Sequence, residues 1–322
     1  MSDRELSLTD LNADSLGAAA VALLRQQRRV WPMLADNYAA LAEVRLREVD
    51  VDGLVFRLQF NPARIASSGA KVDAKSIAAR PCFLCEQNLP PQQRAVPFCD
   101  RYQVLVNPFP ILPEHFTVPR RAHVPQIIRD AFPDLVELTR QIGPHLMAFY
   151  NGPRCGASAP DHLHFQAGNV GVLPIEAEVD DLARRFGRRL SDHATLIASP
   201  LRPLVLIESD SVSEVVRAFR QIHDRLATPG VADEPMMNVL CYAPENGRLR
   251  VLVLPRARHR PSFYSAEGDN RILLSPGAID MGGLCVCPLV HDFDRITAQH
   301  LRQMLTEVSP PGDALIATLD AR

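Results

Sequence analysis

Residues 161–166 read DHLHFQ, and this short segment says the most about the fold and its chemistry. Two histidines and a glutamine alternate with two apolar residues. In a β-strand, alternate side chains share a face, so His162, His164 and Gln166 would lie together, opposite Leu163 and Phe165. Buried imidazoles and amides need hydrogen-bond partners, and a cluster of three costs stability unless it has a function. The pattern therefore predicts a strand that binds metal or performs catalysis.

The ten residues before this segment, 151–160, read NGPRCGASAP. Small residues such as Gly156 and Ser158 leave backbone N–H groups free to cradle phosphate oxygens, and Arg154 could add a bidentate cation. Asn151 closes the strand predicted just before the loop. We expect these four residues to contact an anionic substrate. A plain β-turn is the alternative for this composition taken alone.

A loop-like segment from residue 63 to residue 80 carries four basic residues, Arg64, Lys71, Lys75 and Arg80. Because the chain as a whole is weakly acidic, any anionic ligand must be met by local cations of this kind. We expect the four to contact the phosphate groups of a substrate. A solvated charged loop is the alternative.

Cys82 and Cys85 follow this segment, and a two-residue spacing lets both thiolates reach one tetrahedral ion. The chain has seven cysteines, an odd number, and its first residues do not read as an export signal. These features argue against a disulfide framework. The pair therefore indicates a metal site, with two unligated thiols as the alternative.

The composition is that of a globular protein, with 322 residues, 47% of them hydrophobic, and a formal net charge of −2. This charge gives no basic field for nucleic acid. No apolar run reaches the roughly 18 residues of a membrane span. We therefore expect a cytoplasmic protein that partners with neither nucleic acid nor membrane.

The order of elements predicts an α+β fold made of two similar units. Residues 13–48 show helical periodicity broken near Pro32, and an alternating pattern around Gly53 predicts a pair of strands. After these, the order strand–helix–strand–strand occurs twice, and RLRVL at 248–252 takes the place that HLHFQ has at 162–166. We predict a catalytic unit at 1–195, with N-terminal helices and the cysteine knuckle, and a degenerate second unit at 196–322.

Three segments resemble the histidine-triad superfamily. FYNGPRCGASAPDHLHFQ, at 149–166, resembles the active-site segment of the branch that holds galactose-1-phosphate uridylyltransferases, diadenosine tetraphosphate phosphorylases and GDP-hexose phosphorylases. CFLCEQN, at 82–88, is similar to the zinc knuckle of the uridylyltransferases. LVNPFPILPEHFTVPRRAHVPQ, at 105–126, is similar to the strands that lead to a proline and a histidine. The resemblance implies duplicated half-units, each an antiparallel sheet with packed helices.

The third position of the motif separates reaction types within this superfamily. Its hydrolases typically carry histidine there, whereas its transferases and phosphorylases carry glutamine, as this chain does at Gln166. The resemblance implies a nucleotidyltransferase in which His164 becomes nucleotidylated, assisted by His162 and Gln166. It favours a nucleoside diphosphate sugar as donor, with inorganic phosphate or a sugar 1-phosphate as acceptor. A diadenosine polyphosphate phosphorylase, a nucleotide hydrolase and a non-enzymatic nucleotide-binding protein are the alternatives.

The resemblance also implies a structural zinc ion. Its ligands would be Cys82, Cys85, His123 and His162, with His115 competing for the place of His123. Such an ion would join the cysteine knuckle to the segment of the nucleophile. A monomer and a homodimer both fit the resemblance, because the paired half-units of the superfamily can meet within one chain.

Overall fold

The computed structural model describes residues 4–65, 74–227, 230 and 234–320. The strands are β1 (Arg45–Val51), β2 (Leu54–Phe60), β3 (Ala95–Phe98), β4 (Tyr102–Val106), β5 (His115–Pro119), β6 (Leu146–Asn151), β7 (His164–Asn169), β8 (Gly187–Arg189), β9 (Ala194–Ile197), β10 (Leu204–Ser209), β11 (Met237–Tyr242), β12 (Leu249–Pro255) and β13 (Leu284–Cys287). The α-helices are α1 (Leu16–Val30), α2 (Pro32–Ala42), α3 (Ala74–Ala78), α4 (Phe132–Ile142), α5 (Pro174–Phe186), α6 (Val212–Leu226), α7 (Ala278–Met281), α8 (Val290–Arg295), α9 (Ala298–Val308) and α10 (Gly312–Asp320). Among the described residues, no helix combines the length and the apolar character that crossing a membrane requires.

Ten of the strands form one antiparallel sheet in the order β3-β4-β5-β7-β6-β11-β12-β10-β9-β8. The first five come from the first half of the chain. They meet the second half where β6 pairs with β11, with Asn151 opposite Asn238. The predicted α+β class, an antiparallel sheet with packed helices, is confirmed. The domain boundary between residues 195 and 196 stays a prediction, and it falls within β9.

The second half repeats the hairpin of the first without its histidines. When the Leu240–Leu252 pair is matched to the Phe149–Gln166 pair, as the order of elements in the sequence predicts, Leu252 takes the place of Gln166 and Arg250 the place of His164. The Arg250 guanidinium is paired with carboxylates of α5 and β10. The alternating histidines of the first hairpin therefore have no counterpart in the second.

The two faces of the large sheet bury different hydrophobic clusters. Helices α1, α2, α4, α6 and α10 cover one face, where Phe165 and Ala167 point, and α5, α9 and the small sheet cover the other. His164 and Gln166 alternate with those apolar residues, as a strand requires. The expectation that His162 belongs to the same strand is wrong, because β7 begins at His164. This difference leaves the His162 ring free to turn towards other partners.

A second, three-stranded sheet has the order β1-β2-β13. Its first two strands form a hairpin in which Asp52 (φ 56°) and Gly53 (φ 83°) both have positive φ, as a type I′ turn requires. Helix was predicted through residue 48, but α2 ends at Ala42 and β1 begins at Arg45. The full backbone ladder with β2 decides the conformation of these residues, overriding local helical periodicity.

A buried ion pair connects elements around this small sheet. The guanidinium of Arg202, which is fully buried, donates to the Glu178 carboxylate of α5 and lies 5.5 Å from the centroid of the Phe56 ring in β2. Glu178 also accepts a 2.7 Å hydrogen bond from the backbone N–H of Val55. One carboxylate therefore joins α5, β2 and the loop before β10.

We predict that Glu178→Gln lowers the free energy of unfolding by about 3–5 kcal/mol, because it leaves a buried guanidinium without a counter-charge. Urea denaturation measures the change. The matched control is Asp52→Asn, which breaks an ion pair to Arg302 whose two side chains are 47% and 49% exposed. The control should cost under about 1 kcal/mol. Equal losses in the two variants would contradict the prediction.

Candidate active site

A cavity of about 530 Å³ opens beside the first residues of β7, on the face of the large sheet that packs against the small sheet. Ligand pockets of this volume are common in proteins. Both halves of the chain line the cavity, the first through β7 and the loop that precedes it, the second through a segment that runs into α7. The lining residues discussed below include Asn151, Gly156, Ser158, His164, Gln166, His259, Arg260, Ser275 and Asp280.

His164 lies in the wall of this cavity with one ring nitrogen already bound. Its Nδ1 lies 2.8 Å from the backbone carbonyl oxygen of His162, which can only accept, so Nδ1 carries the proton. Burial lowers the pKa of His164 to about 4 and keeps the ring neutral at pH 7. Nε2 has no protein partner among the described residues and keeps its lone pair. The ring therefore has a fixed tautomer, with an unprotonated nitrogen that could act as a nucleophile.

Gln126, fully buried, holds the backbone of His164. Its Oε1 accepts from the His164 N–H at 2.7 Å, and its Nε2 donates at 3.0 Å to the carbonyl oxygens of both His164 and Asn151. The paired ladder of β6 and β7 ends at Phe149 and Gln166. One amide side chain thus replaces the missing ladder bonds where the two strands separate.

Gln166 faces the cavity next to His164, and a buried histidine contacts it. His115 Nε2 lies 3.0 Å from Gln166 Oε1. His115 lies outside the cysteine cluster described below, so the structure places it beside the glutamine rather than beside a metal site. Burial and the charge of Arg64 lower the pKa of His115 to about 3, so this ring is also neutral.

The loop between β6 and β7 packs closely against the second half of the chain. Gly156 has φ +105°, and a Cβ there would lie 2.9 Å from the Cα of Gly277. The side-chain Oδ1 of Asn151 accepts from Asn238 Nδ2 at 2.8 Å and from the backbone N–H of Ala278 at 2.7 Å. Asn151 therefore joins the two halves through its Oδ1 and also lines the cavity, and its predicted contact with a substrate stays a prediction.

A buried arginine supports this junction from the second half. Arg256 Nη1 donates to Asn238 Oδ1 at 2.6 Å and to the carbonyl oxygen of Pro276 at 2.9 Å. Its Nη2 donates at 2.8 Å to the carbonyl oxygen of His259. These bonds fix the chain segments that carry His259 and Ala278 into the cavity wall.

Three guanidinium groups line the cavity, those of Arg64, Arg80 and Arg260. Each donates to a nearby oxygen: Arg64 to the Phe109 carbonyl at 2.9 Å, Arg80 to the Ser158 carbonyl at 2.7 Å, and Arg260 to Ser275 Oγ at 2.8 Å. The three guanidinium groups give this part of the cavity wall a positive charge. Arginine forks of this kind match the geometry of phosphate oxygens.

The other predicted basic residues lie elsewhere. Arg154 is exposed, and its Nη2 donates at 3.0 Å to the carbonyl oxygen of Glu234, outside the cavity wall. Lys75 is exposed on α3. Lys71 lies outside the described residues. Of the four cations predicted between residues 63 and 80, the structure brings Arg64 and Arg80 to the cavity.

Cys82, Cys85, His123 and His162 form one cluster, with all donor atoms within 4.8 Å of one another. His162 Nε2 lies 2.6 Å from the Arg120 carbonyl oxygen, so it carries the proton and leaves Nδ1 to face the sulfurs. His162 Nδ1 lies 3.2 Å from Cys82 Sγ, and His123 Nδ1 lies 3.2 Å from Cys85 Sγ. Two sulfurs and two imidazole nitrogens therefore point at one centre.

These distances fit a metal ion with four protein ligands. Tetrahedral Zn–S and Zn–N bonds place sulfur and nitrogen about 3.6 Å apart. The distance between Cys85 Sγ and His162 Nδ1 is 3.6 Å, and the other two sulfur–nitrogen distances, both 3.2 Å, are somewhat shorter. Burial and Cys82 raise the pKa of Cys85 to about 11, so this thiol stays protonated near neutral pH unless a cation offsets the charge. The cluster could therefore hold a metal ion, and the chemistry of its donors suits zinc.

The sequence reasoning did not single out several residues that shape the site. Gln126 ends the HVPQ segment, and nothing in that segment marks it as the residue that holds the backbone of His164. Asn107 lies in NPFP, where its Oδ1 caps the turn through the Phe109 N–H at 2.9 Å. Asp280 is buried between backbone N–H groups of Gly277 and Val286. Only the fold brings these distant segments together.

Comparisons with known proteins find a family of undescribed function and a shared fold. Residues 23–169 match the family described as "Domain of unknown function (DUF4922)", a range that contains the cysteine knuckle and β7. No curated protein matches the sequence. Yeast Ap4A phosphorylase Apa2 in complex with Ap4A is 15% identical over 89% of this chain and 98% of that chain, with a TM-score of 0.57.

The chain has the fold of the Ap4A phosphorylases. The same yeast enzyme in complex with AMP matches 90% of this chain and 97% of that chain at 14% identity, with a TM-score of 0.55. A galt-like protein from Arabidopsis thaliana, 16% identical over 81% of this chain and 99% of that chain, has a TM-score of 0.35, too low to bear on the fold. The predicted resemblance to this branch of the histidine-triad superfamily is confirmed at the level of the fold.

We predict that Gln126→Leu destabilises the protein by about 1–3 kcal/mol, because the buried N–H of His164 loses its acceptor. Urea denaturation measures the loss. Gln141→Leu is the matched control, since Gln141 is exposed and bonds only to Glu137 within α4. A Gln126→Leu variant as stable as that control would show that the amide is dispensable.

Proposed function

We propose that the protein is a nucleotidyltransferase of the phosphorylase type, which transfers a nucleoside monophosphate group through a covalent bond to His164. One observation carries the proposal: a neutral imidazole with Nδ1 bound to a backbone carbonyl lines an arginine-rich cavity, next to Gln166. A buried histidine held only for packing would not need a fixed tautomer and a free Nε2 beside three guanidinium groups. Nucleophilic catalysis needs both.

In the first step the Nε2 lone pair of His164 forms a bond to the α-phosphorus of the donor. The bond from that phosphorus to the bridging oxygen breaks, and the leaving group keeps the electron pair. In the second step an oxygen of inorganic phosphate bonds to the same phosphorus, and the N–P pair returns to Nε2. The carbonyl oxygen of His162 stabilises the positive charge that the ring gains in between.

Donor groups around the cavity would stabilise the phosphoryl oxygens during both steps. The Gln166 amide, the backbone N–H groups near Gly156 and Ser158, and the guanidinium of Arg80 lie along its wall. Such preorganised donors act strongly where water is excluded. Gln166 has no acidic proton to give, which favours transfer over hydrolysis.

The donor is proposed at the level of a class, a nucleoside 5′-phosphate joined through a phosphoanhydride. The sequence favours a nucleoside diphosphate sugar. Three guanidinium groups in the cavity, and a fold shared with a phosphorylase solved with Ap4A and AMP, support a dinucleoside polyphosphate as the second candidate. An activity screen with phosphate over UDP-, GDP- and ADP-sugars and diadenosine tetraphosphate separates the two.

The Cys82–Cys85–His123–His162 cluster is proposed as a structural zinc site. All four positions are filled by protein, so the ion would have no open position for substrate. It would connect the cysteine knuckle, whose Phe83 lines the cavity beside Arg80, with the segment that leads into His164. Asp161, whose Oδ2 lies 3.3 Å from His123 Nε2, would orient that ligand.

We predict a nucleotidylated enzyme in the absence of acceptor. Incubation with the true donor should add the mass of one nucleoside monophosphate, and the label should map to His164. His164→Ala should lose the adduct and lower turnover by roughly 10⁴-fold or more. Intact mass spectrometry and steady-state kinetics, which should be ping-pong, measure these effects.

His145→Ala is the matched control, because His145 is exposed and remote from the cavity wall, and it should keep the adduct. An adduct that persists in His164→Ala contradicts the nucleophile assignment. Tight nucleotide binding by the wild type without an adduct or turnover would favour the non-enzymatic alternative. Turnover that does not require phosphate would favour a hydrolase.

We predict about one zinc ion per chain, measured by elemental analysis of the purified protein. Cys82→Ser and Cys85→Ser should lose the ion and lower the midpoint of thermal unfolding, because four-ligand sites contribute directly to folding. Cys99→Ser, at an exposed cysteine away from the cluster, should keep both. Wild-type protein without zinc would refute the metal assignment and leave the role of His164 untouched.

A further inference from the structure

A buried histidine beside the cavity has a contact that neither the nucleophile nor the metal cluster explains. His115 is fully buried at the start of β5, where it pairs with Gly168 of β7. Its neighbour two residues on, Thr117, pairs with Gln166, so His115 and Gln166 are diagonal neighbours on one face of the sheet. The ring Nε2 lies 3.0 Å from Gln166 Oε1.

The backbone defines the tautomer of His115. The N–H of Ile111 lies 3.3 Å from His115 Nδ1, and a backbone N–H can only donate. Nδ1 is therefore an acceptor and carries no proton. A neutral imidazole has one N–H, so that proton is on Nε2. Burial together with the nearby charge of Arg64 keeps the ring in this neutral form.

This tautomer in turn orients the Gln166 amide. The Nε2–H of His115 needs an acceptor, which Oε1 of Gln166 supplies, so the NH₂ group of Gln166 points the other way. Among the described residues no protein acceptor binds that NH₂ group, and Gln166 lines the cavity. A flipped amide would set two N–H donors against each other in a buried place and leave both unpaired.

We propose that His115 is a positioning residue that holds Gln166 as a hydrogen-bond donor towards the transferred phosphoryl group, and so favours transfer to phosphate over hydrolysis. This inference rests on the proposed function. A donor at this place stabilises the negative phosphoryl oxygens during attack. An amide oxygen turned into the cavity would repel those oxygens and would accept a hydrogen bond from water, holding it near the phosphorus.

The two fates of the intermediate differ only in the attacking oxygen. In transfer, an oxygen of inorganic phosphate bonds to phosphorus as the N–P bond breaks, and the pair returns to His164 Nε2. In hydrolysis, water makes the same bond and releases its proton to solvent. The first route yields the nucleoside diphosphate and the second the monophosphate. The ratio of these products therefore reports which groups face the intermediate.

The test uses His115→Phe, which removes the donor and keeps a ring against Phe149, whose centroid lies 6.1 Å from that of His115. Full-length enzyme is labelled with whichever donor of the screen labels the wild type best, then mixed with inorganic phosphate. We expect transfer to slow by about 10²-fold, as for the loss of one oxyanion donor. The monophosphate fraction should rise. An unchanged product ratio would overturn the proposal.

His115→Gln is the conservative variant, because its amide places an N–H close to the position of the ring Nε2. It should recover a transfer rate within a few-fold of the wild type. His115→Leu serves in place of His115→Phe if that variant does not fold. A His115→Gln variant with the same altered product ratio as the apolar variants would refute positioning by a hydrogen bond.

Gln166→Ala provides the decisive background. If His115 acts through Gln166, then adding His115→Phe to Gln166→Ala should change the transfer rate little further. A purely structural His115 would lower the rate by the same factor in both backgrounds, which would contradict the proposal. A wild-type enzyme that no donor labels would refute the proposed function itself. A labelled wild type with an unaffected His115→Phe variant would refute only the role of His115.

Discussion

The site depends on the separation of two strands and on the amide that bridges them. β6 and β7 are paired up to Phe149 and Gln166, and beyond that point their backbones part around the loop that lines the cavity. Strands that part in a protein interior leave backbone groups without partners, which is costly. Gln126 satisfies three of these groups with one side chain. The opening of the cavity and the fixed position of the His164 backbone therefore have the same origin.

Two histidines at i and i+2 have different surroundings because the chain enters β7 between them. His162 precedes the strand, and its Nε2–H is bound to the Arg120 carbonyl, so Nδ1 faces the cysteines. His164 begins the strand, and its Nδ1–H is bound to the carbonyl of His162. The protonated nitrogen is thus opposite in the two rings. Backbone carbonyls, rather than acidic side chains, define both tautomers.

The second half of the chain supports the site without repeating its chemistry. Arg250 occupies the place of His164 in the second hairpin and is paired with carboxylates. Asn238 and Arg256 instead stabilise the cavity wall through hydrogen bonds. Asn238 donates to Asn151, and Arg256 donates to Asn238 and to the carbonyl oxygen of Pro276. A sheet continuous through the β6–β11 pair makes this possible, because it fixes one half against the other. Both halves are therefore needed to close the cavity.

The sequence by itself determined the fold class, the doubled order of elements, and the segments that carry the histidines, the glutamine and the cysteines. These follow from local patterns, since strand alternation, Asp-Gly turns and Cys-x-x-Cys spacing act over a few residues. Even so, the periodicity of residues 45–48 predicts a helix, whereas in the structure they form a strand that pairs with β2. Local periodicity carries no information about the backbone hydrogen bonds that a residue will form with another strand.

Only the tertiary structure decided which residues meet. His115 and Gln126 come from one segment and Arg260 from another, both far from His164 in the chain, and no spacing in the sequence relates them to it. Arg154, which looked like a phosphate ligand, lies outside the cavity wall and donates to the carbonyl of Glu234, while Arg260 lines the cavity. The physical reason is that hydrogen-bond direction and burial depend on packing across the sheet, and no short stretch of sequence specifies that packing.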